Sequence, residues 1–153
     1  MVSFEEYKNW INKYINNHDT REINFQNDVV KRLLEKLFSE YDIVSVDTVA
    51  LKNGFHGDAA RTFMVGNVSP EAKRLVEVTK QAFFEGLKFA KPGFRIGDIS
   101  HAVGEYVKSQ GFSVLKEFQG HGIGREMHED PGIPNYGKAG RGIRLEPGMT
   151  LAI

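Results

Sequence analysis

The sequence has no cysteine. That excludes a disulfide framework and any thiolate metal site, so a metal would have to be held by carboxylate and imidazole, the ligands of hard and borderline ions. Net charge is also absent: 20 Lys and Arg balance 20 Asp and Glu, with no run of five or six like charges. Nothing in the charge pattern therefore indicates a nucleic acid or an anionic membrane as partner. No stretch approaches the 18 apolar residues of a membrane span, and the polar, acidic start Met1-Val2-Ser3-Phe4-Glu5-Glu6 lacks the basic flank and apolar run of a secretory signal. A cytoplasmic protein is expected.

What is present is the composition of an ordinary globular chain, 41% hydrophobic and 26% charged over 153 residues. That is one domain's length, enough to bury roughly 70% of the unfolded surface around one core. Phe4, Tyr7, Trp10, Ile11, Tyr14 and Ile15 recur at helical spacing, and so do Phe25, Val29, Val30, Leu33, Leu34, Leu37 and Phe38. Residues 1–41 thus read as a helical hairpin whose aromatic side chains serve packing. The texture changes near Tyr41. Ile43, Val44, Val46, Val49 and Leu51 form a β-branched, apolar-rich run that ends at Lys52-Asn53-Gly54. Asn-Gly suits a two-residue type I′ turn, and a second strand, residues 55–65, returns from it.

Ser69 is placed to cap a helix that starts at Pro70, runs to about Ala90 and is closed by Pro92-Gly93. Asp98 is placed to cap another, with Ile99, Ala102, Val103, Tyr106 and Val107 on one face and Gly111 just past its end. Residues 112–118 read as a short strand before a glycine-rich loop. Eight glycines and three prolines fall between Gly120 and Gly148, and residues 149–153 begin a further strand. The fold class is α+β: an antiparallel sheet with packed helices, preceded by the helical hairpin.

If Asn53 and Gly54 make the turn, Lys52 faces Phe55 and Asp47 faces Ala60. Asp47 and Asp58 then project from one face as diagonal neighbours, with Cβ atoms roughly 7–8 Å apart. Carboxylates are disfavoured in strands and costly to bury unpaired, and a shared cation would explain both. The alternative is that Asp58 belongs to a surface turn with His56 and Gly57 while Asp47 pairs with a neighbouring Lys or Arg. Further along, glycines flank His121 and let the backbone bring its imidazole close to an ion, with His128 left available for substrate.

Four ordered segments carry a family resemblance. They are Asp42-Ile43-Val44-Ser45-Val46-Asp47; Asn53-Gly54-Phe55-His56-Gly57-Asp58 running into Arg61-Thr62-Phe63; Gly120-His121-Gly122-Ile123-Gly124 with His128-Glu129-Asp130-Pro131; and Leu145-Glu146-Pro147-Gly148-Met149-Thr150. Together they closely resemble type 1 methionine aminopeptidases over roughly residues 42–153. The resemblance implies part of a pita-bread fold and a centre of two divalent ions of Co, Mn, Fe or Zn type. Asp47 would ligate one ion, Asp58 bridge both and His121 ligate the other. His128 would contact the scissile peptide as the catalytic histidine. The implied reaction removes the initiator methionine from peptides and nascent proteins.

In the family two glutamates complete the centre. One belongs to a Glu-Pro pair expected directly after Leu151-Ala152-Ile153, and the other to a later strand. Glu146 and Glu129 match motif neighbours of ligands, not ligands. Residues 1–41 match nothing in the half-domain that precedes the catalytic half in the family. The expected organisation is therefore a helical leader, 1–41, and a C-terminally truncated catalytic region, 42–153, with weak metal binding, little activity and self-association through uncovered sheet. A non-catalytic interaction module of pita-bread type is the alternative, and so is a leader that itself docks a partner.

Overall fold

The computed structural model describes residues 43–153. The expected helical hairpin of residues 1–41 lies outside them. The described elements run β1 (Ile43–Lys52), β2 (Phe55–Met64), α1 (Pro70–Leu87), α2 (Ile96–Ser109), β3 (Gln119–Gly122), β4 (Glu129–Pro134) and β5 (Leu151–Ala152). They form a two-stranded sheet, β1-β2, and a three-stranded sheet in the order β4-β3-β5. Residues 43–45 group with 61–69 in one compact unit, and residues 46–60 with 70–153 in another. No helix among the described residues is long and apolar enough to cross a membrane.

The β1-β2 hairpin turns where its sequence demands. Asn53 and Gly54 have φ of 54° and 79°, the pair of positive values that a type I′ turn requires. Its register follows from two side-chain bonds, Ser45 Oγ to Thr62 Oγ1 at 2.8 Å and Thr48 Oγ1 to the Ala59 carbonyl at 3.1 Å. Both fit the ladder in which Lys52 faces Phe55.

α1 and α2 pack on one another through Ala82, Val103 and Val107. Gly86 permits the close approach, since a Cβ there would stand 2.7 Å from a Val103 methyl. α2 turns its other apolar side toward the larger sheet, where Ile96 and Ile99 join Ile133 of β4 and Leu145, with Leu151 of β5 packed against them. Ile99 and Ile133 are the largest fully buried side chains among the described residues.

Four sequence expectations change. α1 ends at Leu87, not near Ala90, because the amides of Phe89 and Ala90 bond three residues back, to Gly86 and Leu87, in a tightened final turn. Asp98 is not the cap of α2 but its third residue. Arg95 takes the cap position, and the Asp98 carboxylate reaches back to the Arg95 amide at 2.7 Å while accepting the Gly140 amide at 2.6 Å. The first contact is half of a capping box; the second ties the distant loop to the helix start. Residues 112–118 form no strand, because Phe112 and Val114 tuck against the helix pair instead of pairing with a neighbour.

The fourth correction bears on function. The glycine-rich stretch around His121 is no loop but β3, the central strand of its sheet. A Cβ on Gly120 would lie 2.4 Å from the Ala152 carbonyl oxygen, and one on Gly122 2.3 Å from that of Asp130. Glycine stands at both positions because neighbouring backbones leave no room, not because the chain turns.

Gly120→Ala is therefore expected to cost about 1–3 kcal/mol in denaturant unfolding. Gly57→Ala should leave stability nearly unchanged, because a Cβ there meets nothing within 4 Å and φ is not positive. Asp98→Ala removes the acceptor for two amides and should cost about 1–2 kcal/mol in the same measurement.

Candidate metal centre

Asp47 on β1 and Asp58 on β2 line one cavity of about 610 Å³, together with His121, His128, Gln119, Glu129 and Asp130. Gln119 and His121 share a face of β3 by strand alternation. Glu129 and Asp130 open β4, and His128 immediately precedes it.

His121 is held by both neighbours in its sheet. It pairs with Gly132 of β4 and Ala152 of β5, with an irregularity in the β3-β4 ladder immediately after it. Its Nδ1 lies 2.9 Å from the Gly122 carbonyl oxygen. A carbonyl can only accept, so Nδ1 donates to it and Nε2 is the ring nitrogen left directed at the cavity. That Nε2 stands 3.4 Å from Oδ2 of Asp58, and both side chains are 17% exposed. The His128 ring lies beside it, with centroids 4.4 Å apart and planes at 55°.

Asp47 is exposed on the hairpin. Among the described residues no group of three or more His, Asp or Glu side chains is gathered closely enough to hold a metal ion. The expected donors thus share one cavity, with Asp58 and His121 adjacent and Asp47 apart from them. Glu129 has a structural engagement of its own, since its Oε1 accepts the Glu126 amide at 2.9 Å. Two carboxylates and an imidazole are the donor types that bind divalent Mn, Fe, Co or Zn.

Sequence reasoning missed three contributors. Gln119 and Asp130 line the cavity, and Gln119 could have been found by strand alternation had β3 been placed correctly. The third is the contact that docks the hairpin on the turn after β3. There the His56 amide donates to the Gly124 carbonyl at 2.7 Å, and the Arg125 guanidinium lies over the Phe55 ring at 5.1 Å. His56 Nδ1 is buried there without a hydrogen-bond partner.

The chain is 54% identical over 118 residues to the methionine aminopeptidase of Clostridium acetobutylicum, covering 77% of this chain and 47% of that protein. It is 50% identical over 118 residues to methionine aminopeptidase 1 of Bacillus subtilis, covering 77% and 48%. The chain spans about half the length of the curated relatives it matches. Among solved structures, the methionine aminopeptidase of Thermotoga maritima matches with a TM-score of 0.73 at 52% identity, over 74% of this chain and 46% of that one. The prolidase of Pyrococcus furiosus matches with a TM-score of 0.65 at 29% identity, over 74% and 33%. The α+β arrangement is thus part of the pita-bread fold these proteins share. With residues 12–153 matching the family as a whole, the chain belongs to metallopeptidase family M24.

Proposed function

We propose that this chain carries part of the centre of a two-metal methionine aminopeptidase, with Asp47 as ligand of one ion, Asp58 bridging, and His121 as ligand of the other. The observation that carries the reading is the His121–Asp58 pair. The Gly122 carbonyl engages Nδ1, which is how metal-binding histidines are commonly oriented from the second shell. It leaves Nε2 facing a carboxylate at 3.4 Å. That separation is longer than a charge-assisted hydrogen bond. It suits two ligands of one ion, because a tetrahedral ion with bonds of about 2.0–2.2 Å sets its ligand atoms about 3.3–3.6 Å apart.

When bound, such ions supply Lewis acidity at the scissile carbonyl and acidify water toward neutral pH. His128, tilted beside His121 and lining the cavity, is placed to hydrogen-bond the peptide where negative charge develops. The substrate class, an N-terminal methionine, is suggested by the names of the relatives at 54% and 50% identity. Asp47, Asp58 and His121 supply three of the family's five ligands. A three-ligand set holds one divalent ion more readily than two.

Titration of the 153-residue chain with Mn²⁺ should show binding that Asp58→Ala weakens by at least about tenfold. Binding that ignores both Asp58→Ala and Asp47→Ala would remove the metal-centre reading. Any release of methionine from a Met-Ala-Ser peptide is expected to be abolished by Asp58→Ala, and release that survives that substitution would count against the reading.

A further inference from the structure

Asp58 and His121 sit on different sheets, β1-β2 and β4-β3-β5, which no strand ladder joins. Hydrogen bonding within each sheet fixes the donors on their own strands but not their distance from one another. Two contacts bridge the sheets close to the donors. The His56 amide, two residues before Asp58, donates to the carbonyl of Gly124, three residues after His121. Next to it, the Arg125 guanidinium covers the Phe55 ring with 5.1 Å to the centroid.

The turn that offers these groups is itself tied off. The Gly124 amide donates to the Glu126 carbonyl at 3.1 Å, and the Glu126 amide donates to the Glu129 carboxylate at 2.9 Å. Gly124 lies so near that carboxylate that a Cβ would stand 2.9 Å from its oxygens. The turn is thus cross-braced by its own hydrogen bonds, and Phe55, 52% exposed, meets the Arg125 guanidinium through the face of its ring. A guanidinium over an aromatic face is held by the ring quadrupole.

We propose that Arg125 is a positioning residue. Its guanidinium clamps the tip of the β1-β2 hairpin onto the Gly124–Glu129 turn and thereby sets the separation of Asp58 and His121. Its consequence for metal affinity rests on the metal-centre reading, whereas the clamp itself does not. One hydrogen bond and one cation–π contact hold this junction, so removing the ring contact should let the hairpin tip lift. Metal binding would then have to bring the tip back.

Two measurements separate the clamp from the metal reading. In the metal-free chain, hydrogen exchange of the His56 amide should quicken in Arg125→Ala and in Phe55→Leu by a similar factor, and the double substitution should add little to either. Phe55→Leu keeps apolar volume and removes the ring, while Phe55→Trp keeps a ring face and should preserve protection. Arg125→Lys should restore part of it. In Mn²⁺ titration the two disrupting substitutions should weaken affinity by about two- to fivefold, the worth of one exposed cation–π contact. Unchanged His56 exchange in Arg125→Ala, or equal protection in Phe55→Leu and Phe55→Trp, would overturn the clamp. Normal Mn²⁺ affinity in Arg125→Ala, alongside loss in Asp58→Ala, would overturn its role in positioning the donors. Indifference of Mn²⁺ binding to Asp58→Ala would instead defeat the metal-centre reading, and His56 exchange would still decide the clamp.

Discussion

The approach of Asp58 to His121 is the constraint around which the described structure is arranged. Each donor is held by ordinary secondary structure: Asp58 by a hairpin with a type I′ turn, His121 by the middle strand of a sheet with partners on both edges. The 3.4 Å between them belongs to neither element. It depends on the junction of Phe55 and His56 with Gly124 and Arg125, where one backbone hydrogen bond and one guanidinium–ring contact join parts of the chain about 70 residues apart. Such a junction is weaker than a ladder, because its contacts do not repeat along a strand. It lets two separately stabilised sheets bring donors together without burying either sheet against the other at that point.

The rest of the core supports the His121 side of this approach. α2 lays Ile96 and Ile99 against Ile133, and Ile133 sits on β4 opposite Gly120. Neighbouring backbones press on β3 so closely that Gly120 and Gly122 admit no side chain. The glycines leave the strand thin on one face and its imidazole free on the other. Asp98 serves the same assembly from a distance, joining the start of α2 to the loop at Gly140 by accepting hydrogen bonds from two backbone amides on one carboxylate. Close packing keeps the strand from shifting. The Gly122 carbonyl then orients the ring it carries.

How much of this was legible in the sequence depended on the range of the forces involved. The hairpin was readable to the residue because its causes are local: Asn53-Gly54 fixes the turn, and strand alternation then fixes which positions share a face. The helix stripe through Ile99, Val103 and Val107 was readable for the same reason. β3 was not. Its glycines suggest a loop when read alone, and their actual cause is the proximity of distant backbone, Asp130 beside Gly122 and Ala152 beside Gly120. Asp98 was misplaced by three residues because a capping carboxylate can act at the cap or from the third helical position, and sequence does not distinguish them. Asp47, Asp58, His121 and His128 line one cavity. Arg125 carried no signal, because a cation over a ring depends on tertiary placement.

Charge explains why composition was silent about the site. The chain is neutral overall, with 20 basic and 20 acidic residues, yet the cavity collects Asp47, Asp58, Glu129 and Asp130 and no Lys or Arg among its described lining residues. Bringing carboxylates to one concave surface raises their mutual repulsion, and a pair with one partly buried member is screened less by salt than two exposed groups. In an ordinary surface cluster an arginine or lysine would relieve that repulsion. Here the Arg125 guanidinium is directed to an aromatic ring, and Nδ1 of the imidazole beside Asp58 is directed to a backbone carbonyl. Among the described residues the cavity is lined by carboxylates and imidazoles, and that local excess of acidic groups is what a neutral total charge conceals.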